Sequence, residues 1–184
     1  IDFYQGAYKA GIKPIIGCEL YLAPKSRFEK GPYAAGEGAR HLIVLARNMQ
    51  GYRNIVRLTT SAFLDGLYYK PRIDKDILEQ CSEGLIGLSA CLHGEISDLL
   101  LKGRREEAAR AALDYVRIFG KDNFYLEIME NGLPEQKTAN EELLRLAREL
   151  SIPLVATNDC HYLNRDDAEA HEVLLCIQTG KTME

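Results

Sequence analysis

The order of apolar runs along the chain is the feature that most constrains its fold. Short apolar runs of strand character alternate with amphipathic segments of helical spacing, and turn residues lie between them. The predicted strands are KPIIGCELYL (13–22), HLIVLA (41–46), GLIGLSA (84–90), NFYLEI (123–128) and IPLVAT (152–157). Strands that alternate with helices of about ten to fifteen residues are typical of βαβ units and a mainly parallel sheet. The alternation predicts one α/β domain.

The segments between these strands predict helices. They cover an opening helix that ends near Gly11, then residues 49–64, 95–101, 106–119, a stretch from Pro134 and residues 166–177, the last with Asn164 as N-cap. The helix at 49–64 is expected to bury Tyr52, Ile55, Val56, Thr59, Ala62 and Phe63. The helix from Pro134 is expected to bury Ala139, Leu143, Leu146, Ala147 and Leu150. The long Gly-rich loop at 23–40 is interpreted as mobile or functional.

Charge and cysteine usage exclude some classes of protein. A net charge of −4 argues against a domain that holds nucleic acid by charge alone, although bound metal ions could create a small electropositive cleft. No apolar run approaches the ~20 residues that span a bilayer, so no membrane partner is expected. The five scattered cysteines predict free thiols in a reducing cytosol, and hence a cytoplasmic protein.

Polar residues of metal-binding type follow three of the predicted strands. Glu19 follows the run KPIIG, Cys91 follows LIGLS, and the pair Asp159 and His161 follows IPLVAT. Ligands of parallel α/β folds bind at the carboxyl ends of strands, and these side chains suit a borderline divalent cation. His41 does not obey this rule, because it opens its strand. In extended backbone, the D-x-H spacing of Asp159 and His161 places both side chains on one face.

Each of these residues also has an ordinary structural interpretation. Glu19 could be a solvated carboxylate, Cys91 a small core residue and His41 a hydrogen-bonded imidazole. Asn158 and Asp159 could simply begin a turn. From the residues alone, the chain is an α/β barrel or open sheet with a candidate metal site.

Longer motifs point to a known family. These are GIKPIIGCELYLA (11–23), RHLIVLARNMQGYRNIVRL (40–58), GLYYKPRIDKDIL (66–78), EGLIGLSACLHGEI (83–96), NGLPEQKTANEELLRLAREL (131–150) and IPLVATNDCHYLNRDDAEAHEVLLCIQTGKT (152–182). Together they resemble the PHP (polymerase and histidinol phosphatase) domain of bacterial DNA polymerase III alpha subunits, from end to end. The stretches YYKPRID, LPEQK and AHEVLLCIQTGKT resemble the polymerase members in particular, which makes a histidinol phosphatase a poor match.

The resemblance implies a fold and a ligand set. The fold is a distorted seven-stranded βα barrel, similar to a TIM barrel, with up to three metal ions, most often zinc and otherwise manganese or iron. Carried over by position, the metal ligands are Glu19, His41, Cys91, Asp159 and His161. Cys160 is then left to pack on the opposite side. The family's H-x-H and DHG motifs are expected before Ile1, so residues 1–184 would be a single PHP domain fragment that lacks the first barrel strand or strands and all polymerase domains. Such a fragment would hold a partial site with fewer metal ions or none.

The resemblance also implies a function. The full subunit would be a DNA-directed DNA polymerase, a nucleotidyltransferase of DNA replication. The PHP site would be a metal-dependent phosphoesterase that removes a mispaired primer 3′ end as a 3′→5′ proofreading exonuclease, with Asp159 and His161 as catalytic residues; the fragment alone is expected to be inactive. The alternative is a non-catalytic module that stabilises the polymerase and docks a separate exonuclease subunit. The remaining expected partners are the other polymerase domains and, through the full subunit, the sliding clamp. Lys70 and Arg72 would contact DNA or a neighbouring domain, or lie in a solvated loop.

Overall fold

A computed structural model describes residues 1–31 and 38–183 as a layered α/β structure. Its strands are β1 (Gly17–Leu22), β2 (Arg40–Ala46), β3 (Arg72–Ile73), β4 (Leu85–Leu88), β5 (Phe124–Met129) and β6 (Leu154–Thr157). Its helices are α1 (Asp2–Lys9), α2 (Met49–Leu64), α3 (Lys75–Gln80), α4 (Glu95–Leu101), α5 (Arg105–Phe119), α6 (Pro134–Leu150) and α7 (Ala168–Thr179), with a 3-10 turn at Arg165–Asp167. The predicted α/β class is confirmed.

The strands form one sheet in the order β3-β1-β2-β4-β5-β6. Strand β2 pairs antiparallel with both β1 and β4, whereas the other pairings in the sheet are parallel. The sheet is therefore mainly parallel, as predicted, with one reversed strand inside it. Across the described residues the sheet is not closed, so the barrel implied by the resemblance is not confirmed.

The hydrophobic core lies where the central strands meet α2 to α6. Phe124 of β5 stacks on the rings of Tyr115 and Phe119 from α5, at centroid distances of 5.1 and 6.1 Å. Leu58, Val44 and Leu126 are completely buried in the same cluster. Because apolar burial contributes about 25 cal/mol per Å², this cluster supplies the main driving force that holds the sheet under its helices.

Helix faces were predicted with mixed success. The buried face of α6 is confirmed, and it includes Gln136 in addition to the predicted residues, while Leu150 is partly buried. In α2 the predicted face is wrong by a rotation: Ile55 and Ala62 are buried, but Tyr52, Val56 and Phe63 are exposed. The positions buried instead are Gly51, Asn54 and Leu58. Gly51 packs closely against Gly84, just before β4, where a Cβ on residue 51 would lie 1.9 Å from the carbonyl oxygen of Gly84, so only glycine fits at this position of α2.

Several boundaries differ from the sequence prediction. Strand β1 begins at Gly17, not at Lys13, and the short elements β3 and α3 were not predicted. Asn164, predicted to cap the last helix, instead caps the 3-10 turn before it, where it forms a reciprocal capping box with Asp167, while α7 itself begins at Ala168. Residues 32–37 of the predicted mobile or functional loop lie outside the described residues.

The two ends of the chain pack less tightly than its middle. Neither α1 nor α7 has a buried residue, and strand β6, predicted as a core strand, is an edge strand with partly exposed side chains. In the part of the chain that the structure describes, every helix is too short or too polar to cross a bilayer.

Candidate metal centre

The reversed direction of β2 explains the position of His41. Since β2 runs against β1 and β4, its first residues lie beside the last residues of its neighbours. The backbone N–H of His41 donates to the carbonyl of His93, 3.0 Å away, and His41 forms a β-bridge with Gly94. His41 therefore lies at the same edge of the sheet as residues that close parallel strands. The sequence rule failed for His41 only because it assumed a parallel strand.

Three of the predicted ligands meet at this edge. In the β1–β2 register, Tyr21 is opposite His41, which puts Glu19 on the diagonal. The Glu19 Oε1 atom lies 3.2 Å from His41 Nδ1, and Cys91 Sγ lies 3.6 Å from the same nitrogen. A carboxylate, an imidazole and a thiol from three different strands or strand ends thus share one small volume.

Burial and nearby charges set the protonation of this group. Burial lowers the pKa of His41, with Lys70 and His93 adding to the effect, while Glu19 and Asp159 act in the opposite direction. Burial raises the pKa of Cys91, and the negative charges of Asp159 and Glu19 raise it further. At neutral pH the imidazole is therefore neutral, the form that can coordinate a metal, and the thiol keeps its proton until a cation compensates its charge.

Asp159 and His161 form a second pair. Asp159 is close enough to influence the pKa values of His41 and Cys91. His161 Nε2 lies 3.5 Å from Asp159 Oδ1, and its ring faces that of His171 at 5.5 Å. The extended D-x-H backbone was predicted wrongly, since β6 ends at Thr157 and Asp159 has a positive φ of 49°. The predicted packing of Cys160 is also wrong, because this residue is exposed.

Backbone strain is concentrated around these residues. Of the four described non-glycine residues with positive φ, three lie at or beside predicted site residues: Ala90 (63°), just before Cys91, Asp159, and Tyr69 (57°), just before Lys70. The fourth, Ser151 (54°), is the C-cap of α6. A left-handed conformation costs a residue with a Cβ about 1–2 kcal/mol. Such strain is often found at functional sites, where the surrounding structure enforces it.

The donor set fits a metal chemically but is incomplete as it stands. Zinc bonds of about 2.0–2.3 Å place tetrahedral ligands about 3.3–3.6 Å apart, and the distances from His41 Nδ1 to Glu19 and Cys91 are 3.2 and 3.6 Å. However, within residues 1–31 and 38–183 no three His, Cys, Asp or Glu side chains form a group that could hold a metal ion by themselves. The five predicted ligands are thus arranged as a trio around one nitrogen and a separate pair.

Two residues near the site were missed by the sequence reasoning. His93 stands two residues after Cys91, the same spacing as in Asp159 and His161, and its ring lies 5.4 Å from that of His41. Glu127 of β5 is only 2% exposed. A carboxylate inside the apolar run NFYLEI was the available signal for Glu127, because unpaired charges are rarely buried.

Lys70 and Arg72 have different environments. Lys70 is exposed, and its ammonium lies 5.5 Å from the centroid of the Tyr21 ring, beside the site. Arg72 is 1% exposed, and its guanidinium donates to the backbone carbonyls of Gly66, Arg27 and Glu29 at 3.0, 3.2 and 3.0 Å. Neither predicted location of Arg72, a solvated loop or a contact surface, agrees with this burial.

The chain is similar to a known domain family and, over nearly its whole length, to a set of named relatives. Residues 1–131 match the family model described as PHP domain, a range that includes Glu19, His41 and Cys91 but ends before Asp159. The chain is 50% identical over 181 residues to a DNA polymerase III subunit alpha of Treponema pallidum, and 50% identical over 180 residues to that of Borreliella burgdorferi. It is 45% identical over 185 residues to the subunit of Thermus aquaticus. These alignments cover 98%, 98% and 100% of the chain but only 16%, 16% and 15% of the respective relatives.

Proposed function

The chain belongs to the PHP domain family, as its sequence resemblance predicted, and from this premise we propose that it is the PHP domain of a replicative DNA polymerase alpha subunit. The whole protein would be a DNA-directed DNA polymerase, a nucleotidyltransferase that acts in the bacterial cytoplasm. Its template-directed synthesis would reside in other domains, and the PHP fold of the complete protein would be the barrel of the family. The identity of about half of all positions with named alpha subunits supports this assignment.

We further propose that this domain is a metal-dependent phosphoesterase. The observation that carries the proposal is the convergence of Glu19 and Cys91 on His41 Nδ1, at the carboxyl-end edge of the sheet. These three residues, with Asp159 and His161, would hold divalent ions, zinc first and otherwise manganese or iron. The complete domain would hold up to three ions, and the 184 residues fewer.

The chemistry proposed is hydrolysis of the phosphodiester at a mispaired primer 3′ end. A bound metal would lower the pKa of a water ligand and polarise a phosphoryl oxygen. Lys70, exposed beside the site, would attract the phosphate backbone of the primer. Asp159 would accept a hydrogen bond from His161 and so fix the orientation of that imidazole. The expected activity is 3′→5′ proofreading by Asp159, His161 and the metal they hold.

A second function is supported by the apolar surface of the C-terminal helix. Helix α7 exposes Val173, Leu174, Leu175 and Ile177 at 41–73% of their surface. Clustered exposed apolar side chains mark contact surfaces. In the alternative function, the domain would be a non-catalytic module that packs against other polymerase domains and docks a separate exonuclease subunit. The sliding clamp would be a partner only through the full subunit.

Degradation of a 3′-mismatched primer by the full-length protein distinguishes the two functions. Asp159→Ala and His161→Ala are expected to lower the rate about 10–100-fold or more, because loss even of groups that only orient metal ligands commonly costs that much, and these two are proposed ligands. Asp166→Ala, an exposed carboxylate in the same segment, is the matched control and should leave the rate unchanged. Equal rates in all four proteins would assign nuclease activity elsewhere and favour the docking function.

Metal removal gives an independent test. His161 is 60% exposed, so His161→Ala should change the melting temperature of chelator-treated protein by less than about 1 °C. With excess Zn²⁺ the same variant should melt several degrees below wild type, because only metal-loaded protein loses binding free energy. Calorimetry with and without EDTA measures both values. An equal effect of His161→Ala in both conditions would contradict the ligand role.

A further inference from the structure

Glu127 is a buried carboxylate with one oxygen engaged and one without a partner. Its side chain is 2% exposed, in the interior of strand β5. The Thr157 hydroxyl donates to Glu127 Oε1 at 2.6 Å. Among the described residues, the buried Oε2 atom has no hydrogen-bond partner. A buried charge without full compensation is costly, so an oxygen left free in this way needs an explanation.

The position of Glu127 connects both halves of the candidate metal centre. Strand β5 lies between β4 and β6. On one side the backbone N–H of Glu127 donates to Ser89 Oγ at 2.8 Å, two residues before Cys91. On the other side its carboxylate holds Thr157, two residues before Asp159. Glu127 therefore ties together the ends of the two strands that lead to Cys91 and Asp159.

The charges of two proposed metal ligands, Asp159 and Glu19, act on the Glu127 carboxyl. Burial raises the pKa of the Glu127 carboxyl, hydrogen bonds from the Thr157 hydroxyl and the backbone N–H of Ala90 oppose this, and the negative charges of Asp159 and Glu19 raise the pKa further. The negative charges of Asp159 and Glu19 thus disfavour a charge on Glu127. A cation bound among these carboxylates would offset that repulsion and favour the ionised form of Glu127.

From this geometry we infer that Glu127 is a positioning residue for the metal centre: it holds the ends of β4 and β6 in place for Cys91 and Asp159, and its free oxygen supplies negative charge and an acceptor toward the occupied site. This inference rests on the proposed metal binding. Outer carboxylates of this kind orient metal ligands, and their loss commonly lowers metal affinity about 10–100-fold.

Zinc affinity and metal-free stability separate this role from a purely structural one. In full-length protein, Glu127→Gln keeps the side-chain shape and an oxygen for Thr157 but removes the charge. We expect its affinity for Zn²⁺, measured by competition with a chelator, to fall at least 10-fold. Its melting temperature in EDTA should stay equal to wild type or rise, because a buried charge is removed. Glu141→Gln, an exposed acid on α6, is the control and should match wild type in both measurements.

A second pair of variants tests the link through Thr157 without touching Glu127. Thr157→Val removes the hydroxyl and should weaken Zn²⁺ binding several-fold, whereas Thr157→Ser keeps the hydroxyl and should restore it. Wild-type affinity in both Glu127→Gln and Thr157→Val would overturn the positioning role while leaving metal binding intact. A lower melting temperature of Glu127→Gln in EDTA, with unchanged affinity, would make Glu127 a structural residue only. Absence of Zn²⁺ binding by wild type would overturn the proposed metal site together with this role.

Discussion

The central strands β1, β2 and β4 and the C-terminal segment 154–179 contribute to one candidate site from very different structural surroundings. The central strands carry Leu42 and Val44, which are at most 1% exposed, and are covered by helices that share their core. The C-terminal segment has no buried residue in β6 or α7. Glu19, His41 and Cys91 are thus held by a packed sheet, whereas Asp159 and His161 are held by an exposed edge.

Because of this difference in packing, the donors of the two halves are held in place by different contacts. The packed half brings two further donors, Glu19 and Cys91, within 3.6 Å of His41 Nδ1 before any metal binds. The exposed half depends on local contacts, chiefly the link from Thr157 to Glu127. Because the free energy of local opening follows buried apolar contacts, Asp159 and His161 should be the more mobile half of the site.

Truncation of a leucine in the core shared by the central strands, and of one in the C-terminal segment, should give the largest contrast in the free energy of unfolding. Leu58 is 0% exposed and Leu174 is 50% exposed. Leu58→Ala should lower the free energy of unfolding by about 3–5 kcal/mol, through lost burial and the cavity left behind. Leu174→Ala should change it by less than about 0.5 kcal/mol. Urea denaturation of the 184-residue chain measures both, and similar losses would show that the C-terminal segment is as well packed as the centre.

Arg72 and Lys70 give a second contrast between a buried and an exposed residue, at the edge of the sheet. Arg72→Ala should cost about 2–4 kcal/mol, because it removes a buried guanidinium together with its hydrogen bonds to the carbonyls of Gly66, Arg27 and Glu29. Lys70→Ala should cost less than about 0.5 kcal/mol and should instead weaken binding of single-stranded DNA. Denaturation curves and fluorescence anisotropy check the two effects. Weakened DNA binding by Arg72→Ala with unchanged stability would show that its burial has been misinterpreted.

Ionisation of a buried cysteine should have the smallest effect on the free energy of unfolding, and only at alkaline pH. Burial raises the pKa of Cys81 above its usual 9.0, so the unfolded thiol ionises first and the folded state holds more protons. Stability conferred by Cys81 is therefore complete below pH 9 and is lost as pH rises toward the folded pKa, by at most about 1.4 kcal/mol per pH unit. Cys81→Ala should flatten this loss above pH 9, which urea denaturation at a series of pH values measures. Equal slopes of stability against pH in wild type and Cys81→Ala would contradict the assignment.

Much of the fold was predictable because local patterns carry it. The α6 face follows from apolar residues at helical spacing, and the Asn164 cap follows from the hydrogen-bonding ability of its side chain. The α2 face was predicted wrongly because Tyr52 and Phe63 are apolar enough to suggest burial, while the close approach of Gly51 to Gly84 decides which side faces the sheet. Such an approach depends on a partner that is distant in sequence.

The chemical types of the site's donor residues could be predicted from the sequence, whereas their spatial arrangement could not. Residue types alone marked Glu19, Cys91, Asp159 and His161 as donors, although Glu19 lies within β1 and not at its end as predicted. The direction of β2, which carries His41 to that edge, was decided by tertiary structure, since an apolar run reads the same in a parallel and an antiparallel strand. The burial of Arg72 and Glu127 was decided there too. Local sequence specifies which side chains are available, and long-range strand pairing determines which of them meet.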